Sequence, residues 1–220
     1  MVLYLLVAFD LAAAVSVKHH LRSHEPQNPM FIAAMTTLSR SPSVRVAGTT
    51  SINGSLVKLD VVAGEGTGGG SVSIGPAQCD IVLDGPTLYV RASGLTWGQL
   101  GYGAEASRLE NRWLRTSAYA PPFRAFGEFV NVVSLASLIE EAPRLVGRRA
   151  TTIDGIAVNP LSAANRSGTT FYVTATGTPV LVAEQQISEF MRLDEYGSAR
   201  PAGVPTAAIP LSSLLSSQEQ

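Results

Sequence analysis

In 220 residues the sequence has one cysteine, three histidines, two lysines and two tryptophans. The scarcities of cysteine, histidine and lysine each exclude something. The lone Cys79 excludes an internal disulfide. His19, His20 and His24 are confined to one polar stretch near the N-terminus, so no histidine elsewhere can complete a Ser-His-Asp or Cys-His arrangement. No G-x-S-x-G elbow occurs either, and an enzyme is not expected. Lys18 and Lys58 are the only lysines, the arginines are scattered, and the formal net charge is −1. Nucleic-acid binders carry a basic patch, so a nucleic-acid partner is not expected. No apolar run reaches the ~20 residues that a spanning helix needs.

What is present is a globular composition, 45% hydrophobic and 15% charged, long enough for one domain with a sizeable core. Met1 to Val17 is apolar apart from Asp10. With Ala12, Ala13 and Ala14 near its end, it reads as a secretory h-region or an anchor; the alternative is an amphipathic or buried helix. Lys18 to Pro29 follows as a polar connector. Its three histidines have only Glu25 beside them, which favours a solvated linker over a metal site. The expected organisation is a hydrophobic segment and linker over residues 1–29 and one folded domain over 30–220.

The organising stretch runs from Val44 to Ala92. Asn53-Gly54 is a strong hairpin signal, since a type I′ turn needs positive φ at both central residues. It predicts the pairs Ile52–Ser55, Thr50–Val57, Gly48–Leu59, Val46–Val61 and Val44–Ala63. Side chains alternate along a strand. One face then carries Val44, Val46, Val57, Leu59, Val61 and Ala63; the other carries Arg45, Thr49, Lys58 and Asp60, with Val62. Asp84-Gly85 predicts a second hairpin, pairing Leu83 with Pro86, Ile81 with Leu88 and Cys79 with Val90. Cys79, Ile81, Leu83, Leu88 and Val90 share its apolar face, and Val72 and Ile74 continue that face between the hairpins. Cys79 reads as a small buried hydrophobe.

Phe31 to Leu38 reads as a short helix, broken near Pro42. After the meander the period changes. Thr96 is a candidate N-cap for a segment with Trp97, Leu100 and Tyr102, and Ala104 to Leu114 is a helical candidate. Pro121-Pro122 mark a turn; Phe123, Phe126, Phe129, Val130 and Val133 follow at helical spacing. Ser134 is a candidate cap for a helix through Leu135, Leu138 and Ile139, ending near Pro143. This aromatic-rich middle is the natural cover for the apolar sheet face. Strands then return. Asp154-Gly155 and Thr176-Gly177 are turns, Gln186 to Leu193 reads as a last strand, and Ile209 to Leu215 docks as a final strand or short turn.

Three further features read blandly. Gly64 to Gly70 joins strand to strand, whereas a phosphate-cradling loop opens a helix; it reads as a flexible hairpin loop. Glu140 and Glu141 point about 100° apart on a helix, unlike a paired acid and base. Asn53-Gly54-Ser55 and Asn165-Arg166-Ser167 fit the glycosylation pattern and mark exposed turns.

The order of elements, with several phrases, resembles the actinobacterial LppX/LprG-type lipoproteins, which are LolA-like. The phrases are Val44-Arg45-Val46-Ala47-Gly48, Asp80 to Arg91, Arg112-Trp113-Leu114, Thr152-Ile153-Asp154-Gly155, Thr170-Phe171-Tyr172-Val173 with Gly177-Thr178-Pro179, and Phe190 to Gly197. They span about residues 30 to 215. The resemblance implies an α+β fold: a curved antiparallel sheet, or half-barrel, covered on its concave apolar face by helices. It also implies an extracytoplasmic carrier or binder of a lipid or other apolar small molecule, with membrane association and no cofactor. Val57, Leu59, Val61, Ile74, Ile81, Leu83 and Val90 would line one wall of the lipid site, and Trp97, Leu100, Phe126, Phe129 and Leu138 the other. The family's lipobox cysteine has no counterpart, because Cys79 lies in a strand. Either the start lies upstream, or the chain is secreted or anchored otherwise. The alternative reading is a cell-envelope sensor or interaction module with a filled core and no ligand.

Overall fold

A computed structural model of the chain describes residues 28–215 except 53–54, 141–143, 164–167 and 188. The apolar segment and histidine-bearing linker, the Asn53-Gly54 turn residues, Glu141, Pro143 and the Asn165-Arg166-Ser167 sequon lie outside the described residues.

Helix α1 (Pro29–Ser39) opens on Asn28, whose side chain accepts from the Met30 N–H at 3.0 Å. Proline at the first helical position gives up no hydrogen bond there. Phe31, Ala34, Met35 and Leu38 recur at helical spacing and are all buried. β1 (Ser43–Ile52) and β2 (Ser55–Gly64) then pair in the predicted register, with Val46 opposite Val61 and Ile52 opposite Ser55.

β3 (Thr67–Ile74), β4 (Ala77–Asp84) and β5 (Thr87–Ala92) complete the meander. The β4–β5 register differs from expectation by two residues. Leu83 faces Leu88, Ile81 faces Val90, and Cys79 faces Ala92. The turn is Gly85-Pro86 rather than Asp84-Gly85. The residue that closes a two-residue turn must donate its N–H across it, and Pro86 has none; Thr87 does. Gly85 takes φ of 55°, the positive value that the first turn position of a II′ hairpin requires. A shift of two preserves the faces, so the apolar set stays inside.

The glycine run is not a loop. Only Glu65 and Gly66 separate β2 from β3, and Gly68, Gly69 and Gly70 are strand residues. They allow close approach. A Cβ on Gly68 would stand 2.0 Å from the Val130 carbonyl oxygen, which also accepts from the Gly64 N–H at 3.2 Å. Gly68, with the Gly64 N–H, thus docks the helical cover onto the sheet, while Gly69 and Gly70 lie against the neighbouring strands β4 and β2.

That cover comprises α2 (Gly94–Gln99), α3 (Ala106–Leu109), α4 (Arg124–Phe129) and α5 (Val132–Glu140), with β6 (Leu114–Ser117) between α3 and α4. The caps differ from those expected. Ser93 caps α2 and Thr96 lies inside it; Asn131, not Ser134, caps α5, accepting from Val133 and Ser134. The candidate helix from Ala104 to Leu114 breaks after one turn. Asn111 takes φ of 57° and its N–H goes to Ala92 O, releasing Leu114 to pair with Val90. Val133 is exposed, because the chain turns at Val130 and starts a new helix.

The second half supplies β7 (Leu145–Gly147), β8 (Thr151–Ile153), β9 (Ile156–Ala163), β10 (Thr170–Thr174), β11 (Leu181–Gln186) and β12 (Glu189–Asp194). Asp154 and Gly155 both have positive φ, as a I′ turn demands. The single strand expected from Gln186 to Leu193 is divided between β11 and β12. β12 pairs with β1 and joins the halves into one sheet of order β13-β6-β5-β4-β3-β2-β1-β12-β11-β10-β9-β7. The sheet is antiparallel except that β13 (Ile209–Pro210) runs parallel to β6; α6 (Leu211–Leu215) follows. It is curved and unclosed, with one apolar cluster between its concave face and the helices.

Candidate functional site

The concave face is built in rows. Val46, Val61, Gly70, Ile81, Val90 and Leu114 lie opposite one another across six strands. Next to this row stand Leu59 with Val72, and Val57 with Ile74. Val57, Leu59, Val61, Ile81, Leu83 and Val90 are at most 4% exposed, whereas Ile74 is partly buried. On the covering side, Trp97, Phe126 and Phe129 are buried, and Leu100 and Leu138 are partly buried against the same cluster. The structure therefore brings all twelve predicted residues to one interior.

The side of that interior built by the second half of the chain was not predicted. Because β12 pairs with β1, the wall continues through Met191 and Leu193 of β12, Phe171 of β10 and Leu161 of β9, all buried. Phe31 of α1 covers this side, its ring centroid 4.9 Å from that of Phe171. The alternation of Phe171 and Val173 was the available signal.

Among the described residues, few polar side chains are buried. Glu184 lies between Phe171 and Met191 in register, so its side chain is on the concave face. Gln186 Nε2 donates to Glu184 Oε1 at 2.9 Å. Burial pushes the Glu184 carboxyl above the usual carboxylate range; the Gln186 bond opposes the shift and Glu189 adds to it. Glu189 Oε2 is buried with no hydrogen-bond partner among the described residues.

On the covering side, α2 is fastened to the sheet by Thr96. Its hydroxyl accepts from the Gln78 N–H at 3.1 Å and donates to the Gln78 carbonyl at 3.2 Å. Next to it, Trp97 packs edge-on against Tyr102 and Phe123, at centroid distances of 5.9 and 6.2 Å. Trp97 Nε1 and Gln99 Oε1 are buried without hydrogen-bond partners among the described residues.

The convex face carries paired charges. Arg45 pairs with Asp60, Arg91 with Asp80, and Arg192 with Asp154 and Asp194. Arg91 also lies 4.9 Å over the Trp113 ring. Cys79 is buried, and burial pushes its thiol up to about 12, so little nucleophilic thiolate forms near neutrality. Among the described residues, no three His, Cys, Asp or Glu side chains form a group that could hold a metal ion, and no helix is long and apolar enough to cross a membrane. The arrangement can bury apolar surface.

No protein-family model and no curated protein matches the chain. Among solved structures, LprF from Mycobacterium bovis aligns over 81% of this chain and 95% of that one, with a TM-score of 0.51 and 13% sequence identity. The Mycobacterium tuberculosis lipoprotein LppX aligns over 80% of this chain and 96% of that one, at 16% identity and a TM-score of 0.45. The chain shares with LprF the open, curved LolA-like sheet clasping helices.

Proposed function

We propose that this chain binds, and in the cell envelope carries, a lipid or another ligand with an acyl chain. One observation carries the reading: an apolar concave wall spanning β2 to β5 faces aromatic residues of α2 and α4 rather than polar ones. Burying a chain there would draw on ~25 cal/mol per Å² of apolar area removed from water. The resemblance to lipid-carrying lipoproteins and the fold likeness to LprF support it. Val57, Leu59, Val61, Ile74, Ile81, Leu83 and Val90 form the sheet side of the proposed site. Trp97, Leu100, Phe126, Phe129 and Leu138 form the helix side. The folded unit acts outside the cytoplasm, with the apolar N-terminal segment directing or tethering it. No catalytic step is assigned to it.

The test is native mass spectrometry of protein purified from its own host, together with uptake of a fluorescent fatty acid. Retained lipid and saturable uptake are expected. Protein that never carries lipid and takes up no fatty acid overturns the reading. It would favour the alternative, an interaction module whose interior is filled by its own side chains; the near-complete burial of the wall is the observation on that side.

A further inference from the structure

We infer that the Trp97 indole N–H is the polar anchor of the bound ligand and donates to an ester carbonyl oxygen at the head of an acyl chain. This rests on the lipid-binding reading above. Trp97 is 0% exposed, and its Nε1 has no hydrogen-bond partner among the described residues. A buried indole N–H ordinarily finds an acceptor, because leaving the donor unmet forfeits the hydrogen bond it had with water. Here the ring is enclosed by Tyr102 and Phe123 and belongs to the same apolar cluster as Ile81 and Val90.

The indole is held in place. Its helix is capped by Ser93 and pinned to Gln78 by the neighbouring Thr96. A lone donor in an apolar interior selects its partner by chemistry. An ester carbonyl accepts a hydrogen bond and brings no charge, whereas an ammonium or carboxylate head would have to be desolvated. The competing account is an N–H directed at the face of a neighbouring ring, a weaker contact that needs no ligand.

The chain contains only two tryptophans, Trp97 and Trp113. The isotope-labelled full chain thus gives two indole N–H cross-peaks, assigned with Trp113→Phe. Methyl decanoate is the probe. The Trp97 indole proton is expected to move downfield to a plateau, while that of Trp113, whose ring lies under Arg91, stays in place. Shifts at the Val57 and Leu59 methyl groups with an unmoved Trp97 would mean binding without the indole; that overturns this inference and leaves the lipid-binding reading standing. No shift at any resonance overturns the ester anchor, and the copurification experiment then decides the binding reading separately. Trp97→Phe should weaken methyl decanoate about tenfold in competition with a fluorescent fatty acid, the scale of one hydrogen bond. Unchanged affinity in a folded variant overturns the anchor, and the wild-type resonance decides it if that variant does not fold.

Discussion

A Cβ placed on Gly68 would come within 2.0 Å of the Val130 carbonyl oxygen and 2.8 Å of the Val130 Cβ. Neither atom belongs to the free end of a flexible side chain, so the contact cannot be relieved locally. Gly68→Ala should therefore cost about 3 kcal/mol or more, the upper range for overpacking. Gly66, two residues earlier, has φ of 70° and open space around it. Gly66→Ala pays only for left-handed backbone, about 1–2 kcal/mol. Urea melts of the two variants compare them; equal costs would mean that Gly68 does not dock the helices.

The register of the first hairpin makes a second prediction. Leu59 is 2% exposed on the concave face, and Lys58 beside it is exposed. Leu59→Asp puts an unpaired charge against Val72 and should cost about 3 kcal/mol or more. Lys58→Asp should lie within about 0.5 kcal/mol of wild type. A one-residue slip exchanges the faces, so the reverse ranking would remove Val57, Leu59 and Val61 from the proposed wall.

How much of this was legible follows from two identical dipeptides. Asp154-Gly155 forms the turn it predicts, but Asp84-Gly85 does not, because the residue after it is Pro86. The deciding residue is the proline next to the dipeptide, which has no N–H to close the turn. The union of β12 with β1 was not legible, since nothing local joins strands so distant in the chain; the wall residues on β9, β10 and β12 were missed with it. The register skips Val182 between Val173–Leu181 and Tyr172–Ala183, a bulge that resets the alternation. Glu184 then shares a face with Leu181, three residues away, where simple alternation would place it outside.

That placement of Glu184 sets a pH-dependent prediction. Its folded-state pKa is raised, chiefly by burial. A raised pKa means that the folded state holds its proton more tightly than the unfolded one. The favourable contribution is present below the unfolded carboxylate range and is lost as pH rises through the folded value. Glu184→Gln keeps an acceptor for Gln186 and removes the charge. It should raise Tm at pH 7, and the difference from wild type should close as the pH falls below the ordinary glutamate range. A Tm that drops at pH 7 would mean that the carboxylate has a partner on the concave face that outweighs its desolvation.

The attachment of α2 supplies the last prediction. β5 ends at Ala92, opposite Cys79, so the next rung of β4, at Gln78, has no strand partner on that side. The Thr96 hydroxyl takes that place, bonding both the N–H and the carbonyl of Gln78, and Thr96 is 1% exposed. Thr96→Val preserves shape but leaves two backbone groups unmet, for about 2–4 kcal/mol. Thr96→Ser keeps the hydroxyl and loses one methyl, about 1 kcal/mol. Hydrogen exchange gives the sharper readout: the Gln78 amide should lose protection in Thr96→Val and keep it in Thr96→Ser. Trp97 is the next residue, so losing this rung should also loosen the indole against Phe123 and Tyr102, shifting tryptophan fluorescence to the red before the global melt. A Gln78 amide equally protected in both variants would show that the hydroxyl does not hold the helix, and that Trp97 is positioned by aromatic packing alone.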